Sequence, residues 1–174
     1  GFNHYTSRLI RPATEGETFT PWPYGDAVDL GAIMVKADNW TAGTVNPEGI
    51  RRQLVWLKQQ YGDLEFFITE NGCPTVAGLD DQERVDYYRS YLEQILLAIK
   101  EDGVNVTGYT AWTLMDNFEW GDGYVTKFGL YEVDFNDPRR TRTPRRSANY
   151  YASVIKSHSL DVPANYNYTN NASS

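Results

Sequence analysis

Cysteine is almost absent from this 174-residue chain: Cys73 stands alone, so no internal disulfide can form and a small disulfide-stapled fold is excluded. Histidine is nearly as scarce, with two residues, neither close to Cys73 in sequence. That thiol therefore lacks the base a cysteine nucleophile needs and reads as a buried structural group. No apolar run approaches the length of a membrane span, and the N-terminus has no basic-then-apolar signal layout. Cations are in deficit, 16 Lys and Arg against 23 Asp and Glu, and the formal charge of −7 disfavours both nucleic-acid phosphates and anionic membranes. The local exception, Arg139, Arg140, Arg142, Arg145 and Arg146, reads as a solvated turn and helix start rather than a binding patch. An initiator methionine is also missing: Gly1 opens directly in what reads as a strand, as expected of a cut or partial product.

What is present is the composition of a globular domain, 41% hydrophobic and 22% charged. No internal repeat occurs at solenoid or propeller periods. Gly1 to Ser7 reads as a strand end, followed by a long polar loop carrying Pro12, Pro21, Trp22, Pro23 and Gly25; loops of that length are usually functional. Asn46-Pro47 has the chemistry of a helix start, cap then first-turn proline, and Ile50, Leu54, Leu57 and Tyr61 recur at helical spacing up to Gly62. A buried strand follows over Leu64 to Thr69. Asp80 with Glu83 resembles a capping box, and Val85, Tyr88, Leu92, Ile95, Leu96 and Ile99 mark a buried helical face ending at Gly103; Tyr87, Tyr88 and Tyr91 read as packing. Val104 to Trp112 returns as a strand, Phe128 to Phe135 alternates like a short exposed one, and Pro144 to His158 reads as a last helix. The tail, Asp161 to Ser174, has no period and is expected to be loosely packed.

Strand, loop, helix, strand, loop, helix, strand is the order of a parallel α/β protein. Three parallel strands cannot close a barrel, each expects neighbours on both sides, and a complete eight-fold barrel takes about 250 residues. The chain is therefore expected to be the C-terminal part of a larger domain, or to assemble with a piece that supplies the rest.

Two stretches carry chemistry. Leu64-Glu-Phe-Phe-Ile68 closes on Thr69-Glu70-Asn71-Gly72, which puts Glu70 at the C-terminal end of a strand, where a barrel enzyme keeps its reacting groups. Ala111 to Gly123 then alternates Trp112 and Trp120 with Asp116, Glu119 and Asp122. Aromatic faces beside hydrogen-bonding acids suit a neutral sugar. Taken singly, a strand-end Glu is ordinarily a solvated turn residue and a Trp ordinarily core. The three carboxylates have no EF-hand spacing, and Trp120 would intrude on a cation, so no metal is expected. Asn-x-Ser/Thr acceptors at Asn39, Asn105, Asn167 and Asn171 hint at a secreted or digestive protein, although Asn105, beside a buried strand, is a poor acceptor.

Thr69-Glu70-Asn71-Gly72, Trp112 to Trp120, Lys127-Phe-Gly-Leu130 and the opening Asn3-His4-Tyr5, in that spacing, resemble glycoside hydrolase family 1, the β-glucosidases and their relatives, from Gly1 to about Ile155. Asp102 to Tyr109 and Lys127 to Asp137 are most similar to animal, insect-like members. The resemblance implies an α/β fold, the C-terminal part of a (β/α)₈ TIM barrel from about its sixth to its eighth strand. Residues 1–160 would belong to one glycosidase barrel and residues 161–174 to a flexible tail. Retaining hydrolysis uses two carboxyl groups, one attacking the anomeric carbon and one protonating the departing oxygen. The resemblance assigns attack to Glu70. Its acid/base partner belongs to an Asn-Glu-Pro motif that does not occur in this chain, so little or no activity is expected of the chain alone.

By the same resemblance Tyr5 would donate a hydrogen bond to Glu70 and favour its charged form, and Asn3 would face the same subsite. Trp112 would lie under the sugar ring, Glu119 and Trp120 would bond its outer hydroxyls, Phe128 would line the hydroxymethyl pocket, and Trp40 would wall the aglycone. An acidic Glu119 would repel a phosphate, which points to unphosphorylated β-glycosides as substrates. No cofactor is implied, and the partner expected is the missing N-terminal barrel half, from the same gene product or a separate chain. The rival reading is a non-catalytic sugar-binding or interaction fragment, in which Trp112, Glu119 and Trp120 hold a sugar without the acid.

Overall fold

The computed structural model describes residues 1–7, 10–18, 31–34, 45–76 and 78–161. Two compact units result, one of Gly1–Tyr5 with Pro47–Ser174 and one of Thr6–Asn46. The second unit contains an antiparallel pair, β2 (Ile10–Pro12) and β3 (Ala32–Met34), with Arg11 paired to Glu17. The long polar loop expected there thus includes a hairpin. Its first strand, Ile-Arg-Pro, is exposed throughout and too short to show a period.

In the first unit, β1 (Phe2–His4), β4 (Phe66–Asn71) and β5 (Val106–Ala111) form a parallel sheet in the order β1-β4-β5. Helix α1 (Pro47–Tyr61) begins at the expected proline, with Glu48 in its first turn, and ends at Gly62, whose φ of 82° suits glycine alone. Ile50 and Leu54 are fully buried and Ile68 of β4 meets them in the same core. Each such side chain contributes about 1.5–3 kcal/mol through removal from water. Along β4, Phe66 and Ile68 are buried while Phe67 and Thr69 are exposed, so helices cover one face of the sheet. Phe67 lies on Gly108 of β5, where a Cβ would come within 2.1 Å of its ring.

Helix α2 (Gln82–Lys100) buries Arg84, Tyr88, Tyr91, Ile95 and Ala98, with Val85 and Tyr87 beside them. That face is rotated from the expected one: Leu96 and Ile99 are more than a third exposed. Tyrosines occupy the core positions because their hydroxyls find partners there. The capping box does not form either. Asp81, not Asp80, precedes the helix, and its carboxylate accepts from the Ser147 N–H at 2.8 Å and from the Ser147 hydroxyl. It therefore caps the first turn of a different helix, α3 (Arg146–Ser157). Between the two helices β6 (Tyr131–Val133) pairs antiparallel with β7 (Arg142–Pro144). The expected exposed strand over Phe128 to Phe135 is thus shorter, and Leu130 and Val133 are buried. Asn105 is exposed just before β5.

Two buried guanidinium groups pin this region. Arg84 donates to Asp81 at 2.5 Å, to the Gly129 carbonyl at 2.7 Å and to the Lys127 carbonyl at 2.7 Å. Arg145 forks onto Asp116 at 2.9 and 2.8 Å and also donates to the Gly129 carbonyl at 2.7 Å. Arg145 is fully buried, so the arginine cluster is not wholly a solvated turn. Geometry this complete is what a buried charge requires.

Candidate active site

Asn3 and Glu70 are register partners near the C-terminal ends of β1 and β4. Just past β1, the Tyr5 hydroxyl donates to Glu70 Oε2. Burial, this bond and the negative fields of Glu70 and Glu119 push the Tyr5 pKa well above the tyrosine range, so the phenol stays a donor. Asn3 Oδ1 accepts from the Thr69 hydroxyl. Phe128 packs edge-on against Tyr5, with ring centres 6.0 Å apart.

Trp112 follows β5 directly. Its N–H donates to the Asn71 carbonyl at 2.8 Å, and its carbonyl accepts from the Tyr88 hydroxyl at 3.2 Å. The peptide between Trp112 and Thr113 is cis. Thr113 then runs beside the Phe128 to Leu130 segment, donating to the Phe128 carbonyl and accepting from the Leu130 N–H. The two buried arginines that grip Gly129 therefore also hold Phe128, and through it Thr113 and Trp112. Glu119 keeps one buried carboxylate oxygen without a hydrogen-bond partner among the described residues. Trp120 opens a short 3₁₀ turn, Trp120–Asp122, and is 85% exposed.

Glu70, Tyr5, Asn3 and Phe128 are thus joined by a direct bond, a ring contact or strand register, Trp112 is tied to this group through its backbone bond to Asn71, Glu119 acts on Tyr5 electrostatically, and Trp120 stands out towards solvent. Trp40 lies outside the described residues. Asp116, one of the carboxylates weighed for a cation, is consumed by Arg145, and the described residues contain no group of His, Cys, Asp and Glu able to hold a metal. Burial pushes the Cys73 thiol up to about 12, which leaves it protonated and inert. Sequence reasoning missed Asn71, Tyr87 and Tyr91, whose polar atoms meet behind Tyr5, and it missed Arg84 and Arg145. The available signal was Arg84 in phase with Tyr88, Tyr91, Ile95 and Ala98: a charge at a core position of a helical period must have a buried partner.

Parallel strands covered by helices on one face, with a phenol held on a carboxylate at a strand end, are the arrangement of part of an α/β barrel. The sequence pattern of glycosyl hydrolase family 1 matches residues 1–160, and the chain belongs to that family. Myrosinase 1 of Brevicoryne brassicae is 43% identical over 155 residues, covering 88% of this chain and 33% of its own length. Cytosolic beta-glucosidase of Cavia porcellus is 38% identical over 165 residues, 92% of this chain and 34% of the relative. Among solved structures, aphid myrosinase superposes with a TM-score of 0.78 at 41% identity, over 88% of this chain and 33% of that one. The chain spans about a third of the length of these relatives.

Proposed function

We propose that this chain is the C-terminal portion, about the sixth to eighth strands, of a retaining β-glycosidase barrel, with Glu70 as the nucleophile. Residues 1–160 form that portion. The observation that carries the reading is the Tyr5 hydroxyl donating to a carboxylate at the end of a parallel strand. That hydrogen bond orients the Glu70 carboxylate for attack on the sugar's C1. Glu70 attacks C1, the glycosidic oxygen leaves with a proton from an acid carried elsewhere in the barrel, and water then releases the sugar from Glu70. Trp112 gives the sugar ring an apolar face to rest on. Asn3, Glu119, Trp120 and Phe128 line the remaining subsites, and the Glu119 carboxylate selects an unphosphorylated glycoside. The reaction takes no cofactor.

Among the described residues nothing pairs with the outer edges of β1 and β5, which supports completion of the sheet by further strands. The chain alone is expected to hydrolyse an aryl β-glucoside negligibly, and the barrel completed by its first five strands to do so readily. A 2-deoxy-2-fluoroglucoside should then label Glu70. Turnover by the isolated chain comparable with the completed barrel, or labelling at another residue, overturns the proposal. Glucose binding by calorimetry without any turnover of the completed barrel would favour the sugar-binding reading instead.

A further inference from the structure

The Tyr5 to Glu70 hydrogen bond depends on where the Tyr5 backbone sits, and that backbone is held from behind by groups that never reach the sugar site. Tyr87 and Tyr91, one helical turn apart on α2 with rings stacked 4.1 Å between centres, both donate to the Tyr5 carbonyl, at 3.1 and 3.4 Å. Asn71, fully buried and adjacent to Glu70 on β4, donates to the Tyr87 hydroxyl at 2.8 Å and to the His4 carbonyl at 2.7 Å. Its own carbonyl oxygen accepts from the Tyr109 hydroxyl at 2.7 Å.

Proton counting gives these bonds one direction. Asn71 spends both amide hydrogens, and its oxygen is occupied by Tyr109. The Tyr87 oxygen accepts from Asn71, so its single proton is left for the Tyr5 carbonyl. Reversing the Asn71 amide would set its oxygen against the His4 carbonyl. Burial, the largest cause, holds the Tyr87 pKa well above the tyrosine range, so this phenol remains a donor.

We propose, resting on the assignment of Glu70 and Tyr5 above, that Asn71, Tyr87 and Tyr91 are positioning residues that set the Tyr5 hydroxyl on Glu70. Asn71 follows Glu70 on one strand and reaches the end of the other, so a single side chain references both partners of the bond. Consecutive carbonyls, His4 and Tyr5, are thereby fixed, and the phenol leaves from a backbone that cannot slide along β4. Hydrogen bonds weaken steeply with distance and angle, so a small displacement of Tyr5 would release the carboxylate.

The test uses the completed barrel and an activated 2-deoxy-2-fluoroglucoside with a dinitrophenolate leaving group, which reports attack by Glu70 with little demand on the acid. Glu70 labelling is followed against reagent concentration for Tyr5→Phe, Tyr87→Phe and the double variant, which separates the labelling rate constant from the reagent's binding constant. Tyr5→Phe should lower the rate constant with the binding constant unchanged, because Glu70 loses the bond that orients it. Tyr87→Phe should lower the rate constant about five-fold, the worth of one ordinary hydrogen bond, again with binding unchanged. In the double variant the Tyr87 change should add nothing, since its effect passes through the absent phenol. Tyr91→Phe, which removes the longer bond, should show a smaller loss in the same rate constant and carries the test if Tyr87→Phe does not assemble. An unchanged rate constant in both single helix variants, or an effect that adds in full to Tyr5→Phe, overturns the inference while leaving the Glu70 assignment standing. An unchanged rate constant in Tyr5→Phe overturns the inference as well, by removing the Tyr5 role it rests on, whereas labelling away from Glu70 overturns the assignment itself.

Discussion

Replacing Arg145 with methionine removes one half of an ion pair in which neither side chain has any solvent exposure. Breaking a buried pair ordinarily costs about 3–5 kcal/mol, because the surviving charge is left in a medium that cannot solvate it. Here the lower end applies, for two reasons visible in the structure. Asp116 keeps the Gly129 N–H at 3.0 Å and a longer bond from the Val133 N–H, so it is not stripped bare. The Gly129 carbonyl keeps its bond from Arg84. The Gly78 carbonyl loses its bond from Arg145 Nε, and methionine replaces most of the lost volume. We therefore expect Arg145→Met to cost about 3 kcal/mol, a large share of the 5–15 kcal/mol typical of a domain. Urea unfolding followed by far-UV circular dichroism reads this as a lower midpoint at unchanged slope. Adding Asp116→Asn should recover more than half of the loss, since the amide keeps an acceptor for Gly129 without the stranded charge. A loss below about 1 kcal/mol, within the range of exposed pairs, or two changes that simply add, would refute the reasoning.

Two further outcomes follow from close contacts and burial. At Gly72 an added Cβ would lie 1.9 Å from the Trp112 carbonyl oxygen and 3.0 Å from its carbon, so Gly72→Ala must push the backbone beneath the indole aside. The overpacking costs about 1–3 kcal/mol, and glucoside affinity of the completed barrel, read by calorimetry, should fall by about ten-fold or more; unchanged affinity would show that Trp112 does not carry the sugar. Burial lowers the His4 pKa from its ordinary 6.5, outweighing the hydrogen bond with Gln53. Above pH 6.5 the imidazole is neutral folded and unfolded alike, whereas below it the unfolded chain takes up a proton that the folded chain resists. Stability should therefore decline as pH falls below 6.5, and His4→Asn should flatten that part of the urea-midpoint curve; an identical slope in the variant would exclude His4 as the source.

Much of the frame was legible because its signals are local. Pro47 and Gly62 bound α1, the apolar run before Glu70 becomes β4, and β4 places Glu70 at a strand end, as the period and turn chemistry require. The hairpin of β2 and β3 and the strand β7 were not legible. Each has three residues, and Arg-Thr-Pro is a strand only because β6 lies beside it. The face of α2 was misjudged for a related reason: hydrophobicity favours Leu96 and Ile99 over Tyr91 and Arg84, while the fold favours whichever side chains meet partners in the interior.

The same distinction separates the two layers of the site. The residues proposed to face the sugar, Glu70, Trp112, Glu119 and Trp120, fall in dense runs, because a loop at a strand end can present several side chains to one hollow. Residues that hold them come from far along the chain: Arg145 reaches Asp116, Asp81 reaches Ser147, and Asn71 reaches His4. No window of sequence contains both members of these pairs, and each member alone looks like an ordinary surface charge or amide. Arg84, which meets Asp81 and Gly129, carries a mark of its own: a charge standing where the helical period of α2 calls for an apolar group. At such a position a charge or amide costs stability unless distant partners satisfy it, so the misfit itself signals a long-range bond before the partner can be identified.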